Sequence, residues 1–140
     1  MHWICIMLAL LVSTTPLYAN TIKTSSGNAS YYHKKFHGRK TANGERFNNN
    51  AFTCAHRRLP FNTIVKVTHK KNGKTTYCRV NDRGPFSKGR IIDLSRKAAS
   101  DINMISQGVA PVKVSVHCKS SFKSRKYNAK TAMVKCVEYP

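Results

Sequence analysis

The sequence predicts an all-β fold, a small closed barrel carrying one short helix. Three observations lead there. Short runs of β-branched and aromatic residues recur between turn residues from Gly27 onward. A single stretch carries helix punctuation, and a chain of 140 residues holds one domain with a core large enough to fold alone. Many short strands, frequent turns and one helix point to a barrel rather than a parallel sheet, and closure removes edges that a small domain tolerates poorly.

The elements follow in order. Residues 20–26 are polar and read as a lead-in to a barrel spanning 27–118. Ala29-Ser-Tyr-Tyr32 and Thr53-Cys-Ala-His56 read as short strands. Thr63-Ile-Val-Lys-Val-Thr68 alternates apolar and polar residues, which suits a half-buried strand. Lys71-Asn-Gly-Lys74 is a hairpin turn signal, since Asn-Gly accepts positive φ at low cost, and Thr75 to Asn81 returns as the partner strand. A helix fits Ser95 to Asn103, with Ser95 as N-cap and Ala98, Ala99 and Ile102 on one side. Pro111 to His117 alternates again. The 119–140 tail is basic, with a final strand expected over 131–138.

The formal charge of +20 and pI near 10.3 favour anionic surroundings: nucleic acid, acidic glycan, teichoic acid or lipid headgroups. Residues 1–19 narrow the choice. His2 to Val12 is almost wholly apolar, and Tyr18-Ala19-Asn20 offers a small-residue exit, the pattern of a secretory signal cleaved after Ala19. The run is shorter than the ~20 residues that span a bilayer, and Cys5 lies too early to be a lipidated cleavage-site cysteine. An exported, non-lipidated protein of the periplasm, envelope or exterior is expected. Beyond residue 19 stand four cysteines: Cys54, Cys78, Cys118 and Cys136. An even count in an exported chain suggests two disulfides, and no spacing resembles a zinc site. Of the three pairings, Cys54 with Cys78 and Cys118 with Cys136 is favoured because each ties segments adjacent in order; free thiols are the alternative.

Acid is scarce: five carboxylates stand against 25 Lys and Arg. Three of the five fall in patterned stretches, Thr41-Ala-Asn-Gly-Glu-Arg-Phe47, Asn81-Asp-Arg-Gly-Pro-Phe86 and Arg90-Ile-Ile-Asp-Leu-Ser95. Together with Gly27-Asn-Ala-Ser-Tyr-Tyr32 and Thr53-Cys-Ala-His-Arg-Arg-Leu-Pro-Phe61, these stretches resemble, in order, the RlpA (rare lipoprotein A) family over residues 27–117. The resemblance implies a six-stranded double-psi β-barrel, similar to that of expansins and barwin-like proteins. It also implies a lytic transglycosylase acting on peptidoglycan, with a preference for glycan strands lacking stem peptides. Three departures stand out. Asn48 replaces an acid that members often carry, the 22 residues after Cys118 are too few for the C-terminal peptidoglycan-binding domain many members have, and paired cysteines are not general in the family.

In lytic transglycosylation the muramyl 6-hydroxyl attacks within its own sugar, so one group can serve as acid and then as base. Glu45, Asp82 and Asp93 are the candidate catalytic carboxylates, with His56 as a neighbour. By resemblance to other double-psi glycan-cleaving enzymes, Asp93, which precedes Leu94, is the first choice, and Asp82 follows. Each has a structural alternative: Asp93 could accept N–H bonds at the helix start, Asp82 could order a turn and pair with Arg83, and His56 could be a core histidine. Glu45, just after an Asn-Gly turn, is expected at a loop tip. Positive charge lowers a carboxyl pKa whereas a general acid must keep its proton, so at least two of the three acids must meet in one cleft.

Arg39, Arg83 and Arg90 are candidates to grip lactyl carboxylates. Tyr31, Tyr32, Phe47 and Phe86 could stack on sugars, with at least half of them expected in the core. No cofactor is expected, since no metal cluster or nucleotide loop is visible. The expected partners are peptidoglycan glycan strands and other anionic envelope polymers, with no specific nucleic acid because no recognised motif is present. A monomer is expected. The alternative function is a non-catalytic, expansin-like module that binds wall glycan.

Overall fold

A computed structural model describes residues 24–119. The signal segment, the tail strand expected over 131–138 and Cys136 lie outside the described residues. Six strands appear in chain order: β1 (Thr24–Tyr31), β2 (Thr53–Ala55), β3 (Thr63–His69), β4 (Thr75–Asp82), β5 (Arg90–Leu94) and β6 (Ala110–Lys119). They close into a barrel in the order β1-β5-β2-β4-β3-β6. One helix, α1 (Arg96–Asp101), follows β5, and a short 3-10 turn, Lys34–Phe36, follows β1.

Two features differ from the sequence reading. β1 begins at Thr24, inside the expected lead-in, because Thr24, Ser25 and Ser26 pair with Ser115, Val114 and Lys113 of β6. The strand absent from the sequence reading is β5, Arg90–Leu94, a segment with neither alternation nor length to mark it as a strand. It is specified by its neighbours instead, running parallel to β1 and antiparallel to β2. Ile92 and Leu94 point into the core with no exposure, so the strand is held by burial as well as by ladder bonds. Truncating Leu94 to Ala would cost about 3 kcal/mol on the usual scale for such cavities.

The β3–β4 hairpin pairs Val65 with Cys78 and Val67 with Thr76, and Gly73 at φ 72° makes its turn, as the Asn-Gly signal predicts. Val65, Val67, Val80, Ile92, Leu94 and Val112 are fully buried and form the barrel interior together with Ala98, Ala99 and Ile102 at the helix. The helix start is fully capped: Ser95 Oγ accepts from the Ala98 N–H at 3.2 Å, and Asn49 Oδ1 accepts from the Arg96 N–H at 2.7 Å. Cys54 and Cys78 form a disulfide across the adjacent strands β2 and β4, with Cα atoms 5.8 Å apart. The pairing of Cys118 with Cys136 lies outside the described residues.

Candidate active site

Register brings the site together. Ser30 on β1 is opposite Asp93 on β5, Asp93 is opposite Ala55 on β2, and Ala55 is opposite Asp82 on β4. These four residues thus form one row across four neighbouring strands. At about 4.8 Å per strand, the Asp82 and Asp93 backbones stand about 10 Å apart. The row depends on a bulge: Cys54 is opposite Val80 but Ala55 is opposite Asp82, so Asn81 is the extra residue. Without that insertion Ala55 would face Asn81, and the Asp82 side chain would lie on the other face.

Tyr32, just past β1, bonds to Asp82 and lines the same groove as Asp93. Its hydroxyl donates to Asp82 Oδ2 at 2.5 Å, and its ring packs on Phe47 at 4.4 Å and edge-on to Phe36 at 5.8 Å. Burial, then the hydrogen bond to Asp82 and the charges of Asp82 and Asp93, push its phenol far above the ordinary value. Tyr32 is therefore a permanent neutral donor. Asp82 Oδ1 also accepts from the N–H groups of Ala42 and Arg83, each at 2.9 Å, so both of its oxygens are engaged. Asp93 is differently placed. Its Oδ1 accepts from Ser30 Oγ at 2.5 Å and lies 3.7 Å from an Arg90 nitrogen, while its Oδ2 has no hydrogen-bond donor among the described residues. The helix N–H groups that Asp93 could have capped are taken by Ser95 and Asn49. A groove of about 350 Å³ opens over Asp93, with Ser30, Tyr32, Lys35, Phe36 and Arg90 in its walls.

Glu45 lies elsewhere in the hydrogen-bond scheme. Its two oxygens accept from the Arg79 guanidinium at 2.7 and 2.8 Å, with Asn43 at 2.9 Å and Asn81 at 3.3 Å completing the shell. Burial acts to raise its pKa, but the bonds and charge of Arg79 with help from Asn43 and Asn81 outweigh it and hold the carboxyl below its ordinary value. An acid held ionised in a fork suits a positioning role better than proton donation. Because Asn81 is the bulged residue, the Glu45–Arg79 pair also fixes the bulge that sets Asp82. Asn48 is exposed, and its Oδ1 accepts from the Asn50 N–H in its own turn.

The remaining candidates divide. Arg90 lines the groove beside Asp93. The Arg83 guanidinium turns to the 56–61 loop, donating to the carbonyls of His56 at 3.0 Å and Leu59 at 2.8 Å and lying 3.9 Å from the Phe61 ring centre. It does not pair with Asp82, which takes only the Arg83 backbone N–H. His56 Nδ1 accepts from the N–H groups of Arg58 and Leu59, which shapes that same loop. Arg39 is exposed and sits over Phe36, 5.3 Å from its ring centre. Of the four aromatics, Phe47 alone is buried; Tyr31 and Tyr32 are half-buried, and Phe86 is 84% exposed. Phe47 and Tyr31, which packs against the core, make up the expected half, while Tyr32 is drawn to the groove by Asp82 and Phe86 rides on a surface loop. Sequence reasoning missed Ser30, Arg79 and Arg57, whose partners lie 63, 34 and 28 or more residues away.

Comparison with known proteins agrees with this architecture. A family profile described as lytic transglycolase matches residues 24–114. An endolytic peptidoglycan transglycosylase RlpA of Campylobacter jejuni is 56% identical over 94 residues, covering 67% of this chain and 34% of that protein. One from Neisseria meningitidis is 55% identical over 91 residues, covering 65% of this chain and 38% of that protein. The matched part therefore spans about a third of those relatives' own length. Among solved structures, the Streptomyces papain inhibitor superposes with a TM-score of 0.54 at 22% identity, covering 69% of this chain and 98% of that one. A Clavibacter michiganensis expansin mutant in complex with cellohexaose also gives 0.54, at 18% identity, covering 71% and 54%. These two show the fold, a six-stranded double-psi β-barrel. With a profile match over most of the chain and more than half of the aligned residues identical to each of the two relatives, the protein belongs to the lytic transglycolase family.

Proposed function

We propose that this protein is an exported lytic transglycosylase that cleaves peptidoglycan glycan strands lacking stem peptides to 1,6-anhydromuramyl products. The observation that carries the reading is the Ser30-Asp93-Ala55-Asp82 row, whose Ser30 and Asp93 line a groove that Tyr32, bonded to Asp82, also lines. The names of its relatives support the same chemistry.

Asp93, whose Oδ2 has no donor among the described residues, gives its proton to the glycosidic oxygen as the bond from muramyl C1 to that oxygen breaks. The 6-hydroxyl of the same sugar attacks C1, and its proton passes to the Asp93 carboxylate, restoring the acid. No water is consumed. Asp82, anchored by three donors, places negative charge near the positive charge that develops on the sugar and holds Tyr32 in position. Ser30 orients Asp93. Arg90 and Lys35 in the groove walls suit the lactyl carboxylates that remain on muramic acid once stem peptides are gone. The excess of basic residues adds affinity for anionic envelope polymers that weakens with salt.

The test is incubation with glycan strands stripped of stem peptides, followed by mass analysis. Anhydromuramyl products support the reading. Binding without products would identify a glycan-binding module, and hydrolytic reducing ends would identify a different reaction.

A further inference from the structure

The loop between Asp82 and β5 presents an aromatic ring to solvent and holds it there. Phe86 is 84% exposed, so it adds nothing to the core. Yet its loop is fastened by one side chain: Arg57 donates Nε–H to the Pro85 carbonyl, and its terminal nitrogen reaches the Ser87 carbonyl at 2.9 Å and the Arg90 carbonyl at 3.1 Å. The loop also turns through Gly84 at φ 125° and Gly89 at φ 82°, conformations that other residues rarely adopt. The ring is close to the acid. A Cβ placed on Gly84 would stand 3.6 Å from the Phe86 ring and 4.0 Å from Asp93 Oδ2, so ring and carboxylate flank the same point. Glycine there keeps the space between them open.

A rigidly mounted, solvent-facing ring beside a carboxylate has the form of a platform for the apolar C–H face of a sugar. We propose that Phe86 is such a platform, binding a sugar of the glycan strand next to the Asp93 groove, and that Arg57 is the positioning residue that holds it. This inference rests on the glycan-cleaving reading for its ligand. The occupant is a β-1,4-linked amino-sugar strand rather than a second copy of the chain, because the ring adjoins the groove acid and cationic residues accompany it: Lys88 is exposed two residues on, and Arg58 is exposed next to the Arg57 that fastens the loop.

The experiment uses the full chain. With stripped glycan strands, Phe86→Ala is expected to raise KM about tenfold with kcat within about twofold, and Phe86→Trp to restore the wild-type value. The melting temperature should not move. Arg57→Ala should raise KM similarly, and the double variant should add little, since the two act as one unit. In an Asp93→Asn background, titration with stripped glycan strands should show the same loss of affinity for Phe86→Ala. Equal binding by Phe86→Ala, or full rescue by Phe86→Leu, would overturn the platform. So would a concentration-dependent dimer abolished by Phe86→Ala with glycan affinity unchanged. If the wild type binds glycan through Phe86 but yields no anhydro product, the platform stands and the proposed reaction fails.

Discussion

Asp82 and Asp93 occupy the two sides of a single residue, each the register partner of Ala55, and Tyr32 bonds to the first while lining the groove above the second. In a chain with 25 Lys and Arg and five acids, two carboxylates thus stand on the strands that flank β2. The barrel achieves this with one inserted residue, Asn81, and stabilises the insertion through Glu45 and Arg79.

The Glu45–Arg79 pair should therefore matter for stability first. Glu45→Gln leaves a 7% exposed Arg79 without its countercharge and should cost about 2 kcal/mol, read as a lower denaturant midpoint. The pH dependence has a definite sign. Because the folded Glu45 carboxyl lies below its ordinary 4.5, its contribution is fully present above that value and is lost as pH falls through the folded value. Between about pH 6 and about pH 3, wild type should lose more stability than Glu45→Gln. Parallel acid profiles for the two proteins would contradict the assignment.

Tyr32→Phe removes one hydrogen bond to Asp82 and nothing else from the groove wall. It should lower kcat about tenfold to a hundredfold with little change in KM, because the bond positions Asp82 rather than the substrate. Since the phenol stays neutral across the working range, loss of activity at alkaline pH should persist unchanged in Tyr32→Phe. A shift of that limb in the variant would show that Tyr32 itself titrates.

Reducing the Cys54–Cys78 disulfide, or replacing both cysteines by Ala, should destabilise the barrel by about 3 kcal/mol, as expected for a bridge closing a loop of 24 residues. Both cysteines are fully buried, so reduction under native conditions should be slow and should follow unfolding. Rapid modification of these thiols in the folded protein by a mild reductant and alkylator would contradict this placement.

How much was legible in the sequence follows from how local each signal is. The β3–β4 hairpin, the Ser95 cap and the Cys54–Cys78 pairing rest on neighbours in the chain or on simple ordering, and they stand in the fold as read. β5 was hidden because Arg90-Ile-Ile-Asp-Leu94 becomes a strand only when β1 and β2 arrive on its two sides. Glu45 reads as a loop-tip acid until Arg79 reaches it from β4. Arg83 sits beside Asp82 in sequence, yet its guanidinium is spent on carbonyls 24 and 27 residues back. Motif residues thus supplied the candidates, whereas the partner of each required the closed barrel.

The most direct measurement is the yield of anhydromuramyl product from stripped glycan strands by wild type, Asp93→Asn and Asp82→Asn at equal folded concentration. Loss of the proton donor is expected to reduce the rate by about 10²–10⁴ in Asp93→Asn and by a comparable factor in Asp82→Asn, with glycan binding retained in both. Undiminished anhydro product from either variant would show that the row across Ala55 is not the site of the reaction.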